Sequence, residues 1–293
     1  MLRVAHVGLR VPDVLRSVAH AEDVLGLRVA ERTDDAVYLT CNERHHELVL
    51  IAGEAVACDH LAFEVLERSA YEATCERVAA AGLEVIARGP LEPGIADAIR
   101  FAAPGGFVIE VLYGMADDQP RRYATAAPRP VKFEHITVKS SDKPALESVL
   151  IDVLGLRMSD MAEDAASWLR AGEEHHGVSV IAADVDGLHH YAWTIDAFAT
   201  FARIGDHLME HGSTFLWGPG HHGIGDNYFC YAYDADGVVV EYSAGMQRIE
   251  HEDTYQARVW PDVPLTVNRW GNPPPPAAFQ AAVTPLALVE ATS

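Results

Sequence analysis

The sequence predicts an α+β chain of two tandem halves, each made of two β-α-β-β-β units. Three observations predict it: an internal repeat, strand-like alternation leading repeatedly into helical stretches, and a polar, Pro-rich break near the middle. Val24-Leu25-Gly26-Leu27-Arg28 recurs as Val153-Leu154-Gly155-Leu156-Arg157, a shift of 129 that also carries His6 onto His135. A shift of 130 carries His45-His46 onto His175-His176 and Asp59-His60 onto His189-His190, and a shift of 131 carries Glu110 onto Glu241. Landmarks in one order, drifting by two residues, mark a duplication.

In chain order, a strand at 3–11 leads into a helix at 13–25, short strands follow, and a strand at 60–66 leads into a helix at 69–81 and further strands. The second half repeats this with a strand at 132–139, a helix at 142–154, a strand at 190–195 and a helix at 197–211. The break at 117–130 separates a domain at 1–118, expected to be non-catalytic, from one at 131–250 expected to hold the working site. Residues 251–293 read as an extended Pro-rich arm, suited to lying as polyproline II on a surface such as a neighbouring copy, so a homo-oligomer is expected.

Composition removes several function classes. The 293 residues are 49% apolar, yet no uninterrupted apolar run nears the roughly 18 residues of a membrane span. The first residues run straight into strand alternation without a signal-peptide pattern, so a cytoplasmic location is expected. Four cysteines without CxxC spacing argue against disulfides and thiolate zinc. With 22 basic and 43 acidic residues, the net charge of −21 repels phosphate backbones, so nucleic acid is excluded as a partner.

The fifteen histidines matter by position. In a strand, successive side chains face opposite ways. Ile136 and Val138 share one face while His135 and Thr137 take the other; Tyr191 and Trp193 oppose His190; Val240 and Tyr242 oppose Glu241. The bulky residues suit packing under helices, which leaves two imidazoles and a carboxylate projecting into one cavity. Any one of them alone would more often be an ordinary core group. Glu241 on an apolar strand, however, needs a partner when buried. Two His and one carboxylate leave open positions on a non-heme Fe(II), and the same hard donors accept Mn(II).

Beyond these ligands, "GPGHHGIGDNYFCYAYDADGVVVEY" (218–242) resembles the closing motif of the type I extradiol ring-cleaving dioxygenases of the vicinal oxygen chelate superfamily. The resemblance runs over 1–276 and is densest from 132 to 245. It implies a fold of paired βαβββ modules, metal ligation by His135, His190 and Glu241, and O2 as co-substrate in the meta-cleavage of a catechol-type diol. It also implies catalytic roles for His222 in Gly-x-His-Gly, for Tyr231 nine residues later, and for His176 fourteen residues before His190. His222 and Tyr231 would handle the diol's proton, and His176 would act as general acid, as an imidazole titrating near neutral pH can. His175, His189 and His221 are expected to turn away.

Two departures qualify the resemblance. The first half keeps His6, His60 and Glu110, but the shift that aligns Glu110 with Glu241 places Leu91 and Arg100 where His222 and Tyr231 stand. The first set is therefore expected to be vestigial or structural, with one metal per chain supporting turnover. The second departure is Trp217, five residues before His222, where relatives acting on acidic catechols carry an arginine. With Trp168 and Thr137 lining the same cavity, a bulky apolar catechol is expected. Two alternatives stay open at this point: a metal-dependent isomerase or glyoxalase-like enzyme, and a metal-free binding or resistance protein on the same fold.

Overall fold

The computed structural model describes residues 2–120, 123, 125–271 and 273–288. Part of the expected linker (121, 122 and 124) and of the arm (272 and 289–293) lies outside the described residues. The first half runs β1 (Leu2–Val11), α1 (Val14–Asp23), β2 (Arg28–Arg32), β3 (Ala36–Thr40), β4 (Leu48–Ala52), then β5 (Ala57–Val65), α2 (Arg68–Ala80), β6 (Val85–Gly89), β7 (Ile95–Ala102) and β8 (Val108–Met115). The second half repeats the order with β9 (Lys132–Ser140), α3 (Lys143–Ser148), β10 (Arg157–Ala162), β11 (Ala166–Arg170), β12 (Val178–Ala182), then β13 (Gly187–Thr194), α4 (Thr200–Glu210), β14 (Trp217–His221), β15 (Tyr228–Tyr233) and β16 (Val239–Ala244). This is the α+β arrangement the repeat implies, β-α-β-β-β four times.

Each half forms one mixed sheet. The order is β2-β3-β4-β1-β5-β8-β7-β6 in the first and β14-β15-β16-β13-β9-β12-β11-β10 in the second. The first strands of the two units pair antiparallel at the centre, β1 with β5 and β9 with β13. Each centre strand is flanked by the last strand of its own unit, running parallel. This places His135, His190 and Glu241 on three adjacent central strands.

Local signals explain the helices. Asp13 and Asp142 cap α1 and α3, their carboxylates accepting from the Arg16 and Ala145 N–H at 3.0 and 3.2 Å. After α1 and after the wide final turn that extends α3, Gly26 and Gly155 adopt φ of 74° and 82°, which is why the repeated Val-Leu-Gly-Leu carries glycine there. The faces opposite the ligand faces meet in one apolar core drawn from both halves, including Val7, Phe63, Ile136, Tyr191, Trp193, Phe201 and Tyr242. Polar contacts also join the halves, such as His207 Nε2 to the Asp23 carbonyl at 2.7 Å.

The segment from 251 onward, expected to lie extended on a surface, packs along its own chain. It contains β17 (Arg258–Trp260), which adds to β10, and two short helices, α5 (Pro264–Val267) and α6 (Ala277–Ala281). Asp160 on β10 anchors its start, accepting from Arg258 Nη2 at 2.9 Å and Trp260 Nε1 at 2.8 Å. The Pro run carries the chain across to Thr284, which pairs with Leu188 of β13. No described helix is long and apolar enough to cross a membrane.

Candidate metal centre

Cross-strand register assembles the site before any side-chain detail does. Glu241 on β16 lies opposite Tyr231 on β15 and beside Ala192 on β13, while Tyr231 lies opposite Trp217 on β14. His190 faces Thr137, two residues along β9 from His135. A register shift between Leu188 and His190 marks a bulge, the device by which a strand re-aims one side chain.

The three expected ligands converge. Glu241 Oε2 lies 3.1 Å from His135 Nε2 and 3.1 Å from His190 Nε2. The two imidazole nitrogens are 3.3 Å apart. Three neighbouring donors on one metal at roughly 2.1 Å each lie about 3 Å apart, so this set fits one face of a hard or borderline divalent cation. Outer partners hold the rings: His135 Nδ1 bonds Glu134 Oε2 at 3.0 Å and His190 Nδ1 approaches His189 Nδ1 at 2.6 Å. Asn227 Nδ2 donates to the other Glu241 oxygen at 3.3 Å.

Electrostatics fit the same picture. Burial alone would push the Glu241 carboxyl up, but His135, His190 and His222 outweigh it and hold it well below the carboxylate range. Burial also works against a charged His135, yet Glu241 and Glu134 raise it to about 9. Burial lowers His190 to about 4 despite Glu241. An anion thus sits beside one protonated ring, a positive charge that a cation would displace.

The expected catalytic groups flank this face. His222 Nε2 and the Tyr231 hydroxyl are 3.0 Å apart. His222 Nδ1 is 2.5 Å from the Val267 carbonyl and donates to it, so Nε2 is left to accept from Tyr231. Burial, then Glu241, pushes the Tyr231 hydroxyl well above its usual range, so it remains a donor. His176 lies on the other side, its ring centroid 4.5 Å from that of His135. Its Nδ1 is 3.1 Å from His175 Nδ1, which commits that atom and frees Nε2. Gly225, at φ 82°, has no Cβ, and one built there would lie 3.1 Å from His176 Cε1. Contrary to the near-neutral titration expected, burial with His135 and His175 pushes His176 well down, so it rests uncharged and, once protonated, would be a strong proton donor.

A cavity of about 480 Å³ opens on these residues and is lined also by Thr137, Trp168, Trp217, Ile224 and Phe279. Trp217 stacks on Tyr231, with centroids 5.5 Å apart and planes 8° from parallel. Three lining features were not foreseen. His189, expected to turn away from the metal, stays outside the three-ligand set but lines the cavity, its Nε2 on the Phe279 carbonyl, because the bulge interrupts the strand alternation. Lys139 is the next inward position on β9 after His135 and Thr137, a period-two signal present in the sequence; its Nζ donates to the Gln280 carbonyl at 2.6 Å. The arm supplies Val263, Pro264, Val267 and Phe279 to the wall, which no local pattern announced.

In sequence, 3–111 and 132–242 each match the model of the glyoxalase/bleomycin resistance protein/dioxygenase superfamily. The chain is 28% identical over 257 residues to the manganese-dependent 2,3-dihydroxybiphenyl 1,2-dioxygenase of Geobacillus genomosp. 3, covering 79% of this chain and 81% of that protein. It is 25% identical to metapyrocatechase 2 of Cupriavidus necator, covering 84% and 82%. Among solved structures, the Mn(II)-bound glyoxalase from Novosphingobium aromaticivorans superposes with a TM-score of 0.90 at 27% identity, covering 100% and 99% of the two chains. Homoprotocatechuate 2,3-dioxygenase from Arthrobacter globiformis follows with 0.88 at 25% identity, covering 98% and 92%.

Proposed function

The chain belongs to the glyoxalase/bleomycin resistance protein/dioxygenase superfamily, and from that premise we propose that it is an extradiol dioxygenase opening a catechol-type ring with O2. The observation that carries this reading is the company of the ligand face: the His222–Tyr231 pair on one side and His176 on the other. A metal held by His135, His190 and Glu241, Fe(II) in this reading with Mn(II) as the other candidate, would supply open positions for the diol and O2 and an electron path between them.

The chain's own residues handle protons and position. Tyr231, held neutral, donates a hydrogen bond to a diol oxygen, and that bond strengthens as the oxygen becomes anionic in a buried pocket. His222 Nε2, its tautomer set by the Val267 carbonyl, is the acceptor next to that oxygen. His176 Nε2, uncharged at rest, takes up a proton early and returns it later as general acid on the far side of the ring. The Trp217–Tyr231 stack and Phe279 form a wall that excludes water and orients a flat ring.

The substrate in this reading is a bulky, uncharged diol. Trp168 and Trp217 flank the cavity, and the Lys139 ammonium is occupied by the arm. The test is anaerobic loading with Fe(II) or Mn(II), then air and a panel of diols. A coloured ring-fission product with matching O2 uptake is expected, with higher kcat/KM for 2,3-dihydroxybiphenyl than for a carboxylated monocyclic catechol. The reverse order removes the substrate assignment; no O2 uptake with either metal, with turnover of a hemithioacetal instead, moves the site to glyoxalase chemistry.

A further inference from the structure

The first half holds a second convergence. His6 on β1, His60 on β5 and Glu110 on β8 meet Glu92, from the loop between β6 and β7, and all four are at most 6% exposed. One donor atom from each lies within 4.8 Å of the donors of the others. His6 Nε2 is 2.9 Å from His60 Nε2 and 3.1 Å from Glu92 Oε2; Glu92 Oε1 is 3.3 Å from His60 Nε2. These separations match those among His135, His190 and Glu241. Glu110 Oε1 stands 4.0 Å from His6 Nε2 and is buried with no hydrogen-bond partner among the described residues. A bare buried carboxylate oxygen facing the His6 imidazole is expensive unless a cation meets it.

We propose that the first half binds its own divalent transition-metal ion, in a closed and structural site made by His6, His60, Glu92 and Glu110. Closure distinguishes it from the centre in the second half. Arg100 lies opposite Glu110 in the sheet as Tyr231 lies opposite Glu241. Its guanidinium donates to Glu110 Oε2 and to Glu92 Oε1, each at 2.5 Å; Glu110 Oε1 is left without a partner among the described residues, and Glu92 Oε2 lies between His6 and His46 at 3.1 and 3.0 Å. Asp59 Oδ1 holds His60 Nδ1 at 2.8 Å, the outer carboxylate that orients many ligating histidines. Four protein donors, three of them held by outer hydrogen bonds from Asp59 or Arg100, suit a site that stabilises the fold, whereas a working site keeps positions open.

Charge supports the ion. Glu92, Glu110 and Asp59 surround the partly buried Arg100 guanidinium, while Arg10, nearly half exposed, pairs only with Asp59. A divalent cation would meet the Glu110 oxygen that neither guanidinium reaches. The backbone is adapted as well. Gly8 stands where the second half has Thr137, and a Cβ there would fall 2.3 Å from His60 Cε1. The His60 ring occupies that space, so a side chain at residue 8 would displace it.

Metal counting tests this independently of turnover. The intact chain, stripped and reloaded with Mn(II), should hold two ions by elemental analysis. The His190→Ala/Glu241→Gln double variant should hold one and melt several degrees higher with Mn(II) than after chelation. Adding Glu92→Gln to it should remove that ion and the melting shift together. Should the triple variant not fold, Mn(II) titration of the intact chain followed by paramagnetic resonance decides, two bound ions supporting the site. A single bound ion that vanishes in the double variant overturns the proposal and makes Arg100 the sole counter-charge. This count stands whether or not the other centre proves to be a dioxygenase.

Discussion

Replacing Tyr231 with Phe removes one oxygen and leaves a ring that Trp217 still stacks against from 5.5 Å. The ground-state loss is the bond to His222 Nε2 at 3.0 Å, a neutral pair contributing about 0.5–1.5 kcal/mol. The transition-state loss is larger, because the hydroxyl then faces an oxygen carrying negative charge, and such bonds contribute about 1.5–3 kcal/mol. At 25 °C that converts to a fall in turnover of roughly 10- to 150-fold. Metal content should not change, since Tyr231 is not among His135, His190 and Glu241, and the melting temperature should fall by only about 2–4 °C. The assay is O2 uptake under saturating diol, normalised to bound metal, beside a melting curve. A loss below threefold at full metal occupancy would refute the proton-handling role. A large loss that tracks missing metal would refute it too, showing that Tyr231 supports the ligands.

Three further outcomes follow from the geometry. His135 is protonated in the metal-free site with its pKa raised to about 9, and a metal must displace that proton; apparent Mn(II) affinity should therefore climb about tenfold per pH unit below this value and level off above it, as fluorescence or calorimetric titration would reveal, and a flat profile from pH 6 to 8 contradicts the assignment. Phe279→Ala opens the wall against Trp217, Tyr231 and His190, so KM for a biaryl diol should rise more than kcat falls, with about 1–3 kcal/mol lost from stability; an unchanged KM would mean the arm does not meet the substrate. Asp160→Asn weakens the anchor that Arg258 and Trp260 make; limited proteolysis should then cut first within the arm, and equal protection in both proteins counts against the anchoring role.

Much of the site was legible because strands write their geometry into the sequence at a period of two. His135 against Ile136, His190 against Tyr191, and Glu241 against Val240 each declare a face, and the repeat aligns the three strands without any contact being known. What failed was local. The bulge after Leu188 brought His189 to the cavity, and a bulge is an extra residue that alternation cannot register. Glu92 and Asn227 sit in loops, where no period indicates which way a side chain turns. The arm carries Pro and polar residues that read as an isolated strap, whereas its fold depends on partners such as Asp160 and Leu188, about a hundred residues away in sequence.

The two halves show how one scaffold gives a closed and an open site by exchange at two places. Where the first half has Arg100 opposite its glutamate, the second has Tyr231; where the first sends the Glu92 loop inward, the second offers His222 beside Gly223. A guanidinium and a second carboxylate fill the concave face of the first sheet. A phenol and an imidazole leave the second face with a cavity of about 480 Å³ and with groups that exchange protons. The ligand histidines are common to both, so they cannot by themselves decide which half does chemistry. Placing such a charge pair there should transfer the property: Tyr231→Arg with His222→Glu in the second half (Gly223 itself has no room, a Cβ there falling 2.5 Å from the Thr266 carbonyl) should keep the ion bound by His135, His190 and Glu241 while abolishing diol binding, read as loss of the catecholate absorption band under anaerobic titration. Retention of that band in a folded, metal-loaded variant would show that the open face depends on more than these two positions.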